Sequence, residues 1–303
     1  MMNSAVVLSD GAGGGARPAA TPLGRGDWAG LGAVVVALAV LYGPVLLRLA
    51  AQWWTDENYS YGFLVPLFCA WLVYRRRSRL RATPRQPAFG GWAMAVVALA
   101  MLLVGRLGSE LLLTRVSLLV MLAGLVVSLL GWAWLRALAF PLAFLGFMIP
   151  WPTLIYNLAT IPLKAIATRA GVGMVAWTRL PILREGNLIF LPGSVLDVVA
   201  ACSGIRSLLA LLALATGYGY LLEPVGWRRV ALVAAMPPLA VLSNAIRIAL
   251  TILLTFRFGP GASAGVWHML TGLQVFVVAV LGLVLLQRGL RALPAHVKVE
   301  RHA

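Results

Sequence analysis

One cysteine, one histidine, one asparagine and two arginines lie within or beside apolar segments in the second half of the chain. They are Cys202, Arg206, Asn244, Arg247 and His268. A charged side chain in hydrocarbon costs about 3 kcal/mol or more, so such groups usually face a cavity or a partner. A thiolate, an imidazole that carries a proton and a guanidinium that holds negative charge are sufficient for acyl transfer. These residue types therefore predict a thiol-dependent reaction at a carbonyl group.

The spacing of these residues supports that prediction. Cys202 and Arg206 are four residues apart and share one helix face, where a guanidinium favours the thiolate over the thiol. Asn244 and Arg247 are three apart and also share a face. Three separate segments are therefore expected to supply the site.

Each of these residues also has a structural interpretation that the sequence leaves open. Cys202 is compatible with a small buried apolar residue, and Cys69, in mid-span without charged neighbours, is expected to be one. His268 follows Trp267 and suits an interfacial position. Arg247 suits contact with lipid phosphate, and Arg206 suits a structural ion pair.

Composition predicts the elements that position these residues. Apolar residues make up 61% of the chain and charged residues 11%, and the mean hydropathy is +0.91. A soluble domain has about 25% charged residues, so we expect an all-α integral membrane protein, a polytopic bundle of about eight transmembrane helices. The segment 179–201 is rich in β-branched and turn residues and predicts a small extracytoplasmic extended or hairpin element.

The apolar segments lie at about 28–49, 61–74, 90–106, 111–130, 137–149, 204–222, 230–256 and 269–287. The segment 153–178 is interrupted by polar residues and is expected to lie in the outer interface, with a full span as the alternative. Pro237 and Pro238 predict a kink in the 230–256 helix. Three domains are expected: a disordered cytoplasmic tail (1–26), a membrane domain (27–291) and a cytoplasmic C-terminal tail (292–303).

The net charge of +16 comes from arginines in short runs between apolar segments, a pattern set by membrane orientation. Nucleic acid is therefore not expected as a partner. The densest run, Arg75–Arg81, defines the cytoplasmic side, and Arg228, Arg229, Arg288 and Arg291 fall on the same side by counting spans. Both termini are then cytoplasmic in a prokaryotic plasma (inner) membrane. Cys202, Arg247 and His268 all fall near the outer face.

Several motifs resemble the exosortase/archaeosortase family of multispanning membrane enzymes. The quoted segments are Ala201-Cys-Ser-Gly-Ile-Arg-Ser-Leu-Leu209, Leu242-Ser-Asn-Ala-Ile-Arg-Ile248, Trp267-His268 with Gly272, Tyr59-Ser-Tyr-Gly-Phe-Leu64 and Gly186-Asn-Leu-Ile-Phe-Leu-Pro192. The resemblance implies that Cys202 is the nucleophile, Arg247 the stabiliser of the thiolate or oxyanion, and His268 the third catalytic residue. Arg206, Asn244 and Ser203 are expected to support them.

The resemblance also implies a class of substrate. Its members act on exported proteins that end in a short motif such as Pro-Glu-Pro, a transmembrane helix and a basic tail. The cut end passes to water or to an amine acceptor in the envelope. Membrane lipid is the other expected partner, and no cofactor or metal is expected.

Two positions depart from the family pattern. Tyr61 stands where many members have histidine, so this position is not expected to be a required acid or base. Ala200 stands where an acidic residue is common, which leaves activation of the thiol to the arginines.

Two other functions fit the same residues. A transporter or flippase for a polysaccharide or lipid-linked intermediate would use Arg206 and Arg247 to bind phosphate. A subunit of an envelope-assembly complex would need none of the three catalytic residues.

Overall fold

The computed structural model describes residues 25–56, 58–186, 188–197, 206–263 and 265–293. For most of these residues it also describes the surroundings of the side chain. The tails expected at 1–26 and 292–303 lie almost wholly outside the described residues. Cys202, Ser203 and Ala200 also lie outside them.

Long apolar helices dominate the described chain. They are α1 (Arg25–Thr55), α4 (Gly90–Leu107), α5 (Leu111–Leu129), α7 (Thr153–Ala176), α9 (Gly226–Ala234) with α10 (Met236–Phe258), and α11 (Gly265–Ala292). Among the described residues, six helical stretches are long and apolar enough to cross a membrane when α9 and α10 are taken as one. The predicted polytopic α-helical membrane fold is therefore confirmed.

Shorter helices fill the spaces between these. They are α2 (Leu64–Arg75), α3 (Arg77–Ala82), α6 (Trp132–Phe144) and α8 (Arg206–Leu222), with 3₁₀ helices at Ser60–Phe63, Leu145–Met148 and Pro260–Ser263. These shorter helices include three of the eight expected spans, α2, α6 and α8, which have 12, 13 and 17 residues. The segment expected in the interface, α7, has 24 residues and reaches spanning length, whereas α2 has 12 and is about 18 Å long.

The proline pair separates two helices instead of kinking one. Helix α9 ends at Ala234, and Pro237 and Pro238 stand in the first turn of α10. Backbone N–H groups in a first turn have no partner within the helix, so proline costs little there. The predicted kink inside a continuous 230–256 helix is therefore a junction at Ala235.

A small sheet follows α7, as the β-branched pattern predicts. Strands β1 (Leu183–Glu185), β2 (Leu188–Leu191) and β3 (Ser194–Asp197) form an antiparallel meander in that order. Gly193, with φ of 77°, turns β2 into β3 in a conformation that suits glycine. Ile189, with no exposed surface, joins a core shared by α7 and α10, so the sheet is fixed to the helix that carries Arg247.

The end of α1 is built into the bundle. The helix continues to Thr55, beyond the predicted end of the first span. Trp53 is 7% exposed and donates a hydrogen bond from Nε1 to the carbonyl of Met148 at 2.9 Å, whereas Trp54 is 84% exposed. Trp53 packs against the backbone of Gly62, where any side chain at position 62 would collide with the indole ring of Trp53. Of the two tryptophans, only Trp54 is therefore placed to reach lipid headgroups.

A buried carboxylate ties together the ends of α8, α9 and α11. Glu223 accepts a hydrogen bond from Arg291 Nε at 2.6 Å and another from Gln287 Nε2 at 3.2 Å. Arg228 Nη1 lies 3.9 Å from its other oxygen. Burial raises the pKa of Glu223, but the hydrogen bonds and the two positive charges outweigh it and hold the pKa below its ordinary value. Tyr218 adds a hydrogen bond to Gln287, so α8 and α11 run side by side to this end.

Candidate active site

Helices α10 and α11 bring Arg247 and His268 into direct contact. The two helices pack antiparallel, with Gly282 against Leu239 and Gln274 near Ser243. Arg247 Nη2 lies 3.2 Å from His268 Nε2. Two residues that are 21 positions apart, and that the sequence assigned to one depth, therefore share one site.

The contact assigns a role to one nitrogen of the imidazole. A guanidinium has five N–H donors and no acceptor. In this contact His268 Nε2 is therefore the acceptor. Its lone pair becomes available to a proton when Arg247 turns away.

A glycine of α11 faces the guanidinium. Gly272 lies one turn after His268, and a Cβ there would come 3.9 Å from Arg247 Nη2. Arg247 is 4% exposed, whereas His268 is half-buried. The imidazole therefore stands between the buried guanidinium and the surface.

Arg247 belongs to a buried polar stripe along α10. Ser243, Arg247, Thr251 and Thr255 follow at intervals of four residues, and none is more than 4% exposed. Asn244, at 1%, lies beside the stripe. In a largely apolar helix, buried polar groups on one face usually line a functional site or a pathway for ions or polar solutes.

Several polar atoms of this region lack a hydrogen-bond partner among the described residues. They are Ser243 Oγ, Asn244 Oδ1, Thr255 Oγ1 and, on α11, Gln274 Oε1. A buried polar atom left without a partner costs about 1–3 kcal/mol, so such atoms are normally satisfied by something. Their clustering along α10 and α11 offers acceptors to water or to a ligand near Arg247.

Helix α7 closes the other side of α10. A Cβ on Gly171 would lie 2.8 Å from the carbonyl oxygen of Ala245 and 2.8 Å from Ile248. The absence of a side chain therefore lets the two backbones approach closely, immediately beside Asn244 and Arg247. The close packing holds α10 in a fixed rotation, with its polar stripe turned toward α11.

The elements on either side of residues 198–205 lie beside these helices. Strand β3 ends at Asp197 and lies against the 3₁₀ helix Pro260–Ser263, just before α11. Helix α8 begins at Arg206 and packs against α10 and α11 through a core that includes Leu208 and Ala279. The side-chain position of Arg206 is not among the described features.

Cys69 and Tyr61, which lie away from Arg247 and His268, occupy structural positions. Cys69 is buried in α2 and its thiol donates to the carbonyl of Pro141 at 3.2 Å, in line with its predicted role as a small buried residue. Tyr61, in the 3₁₀ helix Ser60–Phe63, packs beside Tyr59 and the core of α1, α2 and α6.

Among the described residues, no group of three or more histidine, cysteine or acidic side chains is arranged to hold a metal ion. The residues of the site that sequence reasoning did not single out are Ser243, Thr251, Thr255 and Gln274. The four-residue spacing of the first three with Arg247 is visible in the sequence and indicates a common helix face.

A comparison with known families agrees with these motifs. The sequence model of the transmembrane exosortases matches residues 53–285, more than three quarters of the chain, and this range includes Cys202, Arg247 and His268. No curated protein and no solved structure matches the chain. The chain is an integral membrane protein that belongs to the transmembrane exosortase family.

Proposed function

We propose that this protein is a cysteine peptidase or transpeptidase whose nucleophile is Cys202 and whose other catalytic residues are Arg247 and His268. The observation that carries the proposal is the 3.2 Å contact between the guanidinium and imidazole inside an apolar bundle. A pair of this kind supplies a proton acceptor and a fixed positive charge side by side.

The reaction begins when Arg247 releases Nε2 of His268 and the Cys202 thiol proton passes to that nitrogen. The thiolate attacks the carbonyl carbon of a peptide bond, and the C–S bond forms while the carbonyl oxygen becomes negative. Arg247 holds that oxygen. The imidazolium then gives its proton to the leaving amine as the C–N bond breaks, which leaves a thioester on Cys202. Water or an amine acceptor attacks the thioester and releases the sulfur.

Chain connectivity supports the participation of Cys202. Cys202 precedes Arg206, the first residue of α8, by four positions, and four residues span at most about 14 Å. Strand β3 contacts the 3₁₀ helix just before α11, and α8 packs against α10 and α11. These contacts support the proposal that the Cys202 thiol reaches the pair.

The substrate class proposed is exported proteins with a C-terminal sorting signal. Such a signal consists of a short motif, a transmembrane helix and a basic tail. The arginine run 75–81 favours the cytoplasm by the positive-inside rule, which places the site toward the outer face. There the motif of a membrane-held substrate would emerge next to Cys202.

Processing of a tail-bearing substrate by Cys202 variants tests this function. We expect Cys202→Ala to abolish cleavage of a co-expressed protein with such a tail. Cys69→Ala is the matched control and should cleave normally, because Cys69 is a buried residue bonded to Pro141. Unchanged cleavage by Cys202→Ala would refute the peptidase. If cells with Cys202→Ala still cleave the substrate but lose polysaccharide export, the result would favour the transporter.

A further inference from the structure

A second polar pocket lies in the other half of the bundle, between α1, α4 and α5. Its volume is about 440 Å³, and Arg48, Arg106 and Arg115 all line it, with Ser109 and Thr114. A volume of this order is typical of small-molecule sites, which measure about 300–1,000 Å³. Three guanidinium groups around one pocket make it strongly positive.

The three arginines form no close ion pair among the described residues. Arg115, which is 5% exposed, donates to Gln52 Oε1 at 2.7 Å, and Arg106 donates to the carbonyl of Leu41 at 2.5 Å. Neither acceptor is charged. The charge of Glu110 acts on Arg115 from farther away, and the Glu110 carboxylate accepts from the Leu112 N–H at the start of α5.

The pocket also lies where the positive-inside rule disfavours arginine. It is formed by the C-terminal half of α1, the C-terminal end of α4 and the first turns of α5. Helix α4 begins at Gly90, after the basic run 75–81, so the pocket lies at the opposite end of α4. Orientation alone therefore gives no reason for three arginines here, whereas an anionic ligand does.

We propose that this pocket binds the phosphate group of an anionic membrane lipid in the outer leaflet. Phosphate oxygens match the planar donor array of guanidinium, and several arginines can share one phosphate. Apolar side chains beside the pocket face outward, where the acyl chains of such a lipid would lie. Leu47, Leu103 and Leu107 are 74%, 60% and 78% exposed. This site is independent of the function proposed for Cys202.

Binding of a short-chain phosphatidic acid to the purified full-length protein in a neutral detergent tests the proposal. The variant is Arg48→Gln with Arg106→Gln, two exposed residues whose change leaves the buried Arg115 in place. The matched control is Arg179→Gln with Arg257→Gln, which removes the same charge from two exposed arginines outside the pocket. Bound lipid is counted by native mass spectrometry, and affinity is measured by thermal shift.

We expect the pocket variant to bind the lipid at least tenfold more weakly than the wild type, while the control binds within twofold. Phosphatidylcholine of the same chain length should bind more weakly than phosphatidic acid. Equal loss in both double variants would show only general charge attraction and would overturn the proposal. Inorganic phosphate binding as tightly as the lipid would overturn the lipid assignment.

Discussion

Arg247 and His268 are joined by one hydrogen bond. Because a guanidinium only donates, Nε2 of the imidazole is the acceptor in this contact. The same guanidinium is buried and lies on the polar stripe of α10. In the reaction we propose, one residue therefore contacts the base and supplies the charge that stabilises a developing oxyanion.

Replacing His268 with glutamine separates these two roles. The glutamine carbonyl can still accept from Arg247, but an amide cannot carry a proton between thiol and leaving amine. We expect His268→Gln to unfold at the wild-type temperature within about 2 °C and to cleave the tail substrate 10²–10⁴-fold more slowly, roughly the share that general acid–base catalysis contributes.

His268→Leu is the companion variant, because it removes both the acceptor and the proton carrier. It should lose activity and also stability, since the buried Arg247 loses a partner. Cleavage by His268→Gln at a rate near that of the wild type would show that the imidazole carries no proton in the reaction.

At the scale of helices, the site depends on how closely α7 approaches α10. Gly171 meets the backbone of Ala245, where any side chain would collide. Two residues later, Gly173 has open space around its Cβ position. The chain therefore contains both a variant and its control on one helix.

We expect Gly171→Ala to lower the free energy of unfolding by about 1–3 kcal/mol, the usual cost of overpacking, and to reduce cleavage by moving Arg247. Gly173→Ala should be neutral or stabilising by about 0.5–1 kcal/mol, because alanine favours helix. Thermal unfolding in detergent measures both. Equal effects of the two changes would mean that the close contact does not fix α10.

Much of the fold could be predicted at this scale. Hydropathy located the long helices, and the β-branched run before Cys202 predicted the small sheet. The burial of Trp53 and the role of α7 could not be predicted, because both depend on contacts with residues about 95 and 75 positions away. The meeting of Arg247 with His268 depends on the rotation of two helices about their axes, which local sequence does not encode.

Considered as a whole, the bundle has different electrostatics at its two ends. At the end expected in the cytoplasm, Glu223 joins α8 to α9 and α11 through Arg228, Gln287 and Arg291. At the other end, the arginine pocket of α1, α4 and α5 has three guanidinium groups that form no close ion pair among the described residues. One end contains a buried carboxylate bound by arginines, and the other has arginines around an open pocket.

Glu223→Gln should destabilise the protein by about 2 kcal/mol at neutral pH, because Arg291 and Arg228 lose a charged partner. The folded-state pKa of Glu223 is lowered, so its contribution is complete above the unfolded pKa and disappears as pH falls through the folded one. The gap in unfolding temperature between wild type and variant should therefore shrink below about pH 4. A gap that is constant from pH 7 to pH 3 would contradict this role.

The central claim is that Cys202 meets Arg247 and His268 in one site, and a chemical distance measurement tests it most directly. In a Cys69→Ala background, His268→Cys is treated with a bifunctional thiol reagent that spans about 5 Å, and linkage to Cys202 is read by mass spectrometry of the digested protein. Met269→Cys is the control, because it is exposed on a different face of α11. The account predicts a link from position 268 and little or none from 269. No link from 268, or equal links from both, would contradict it.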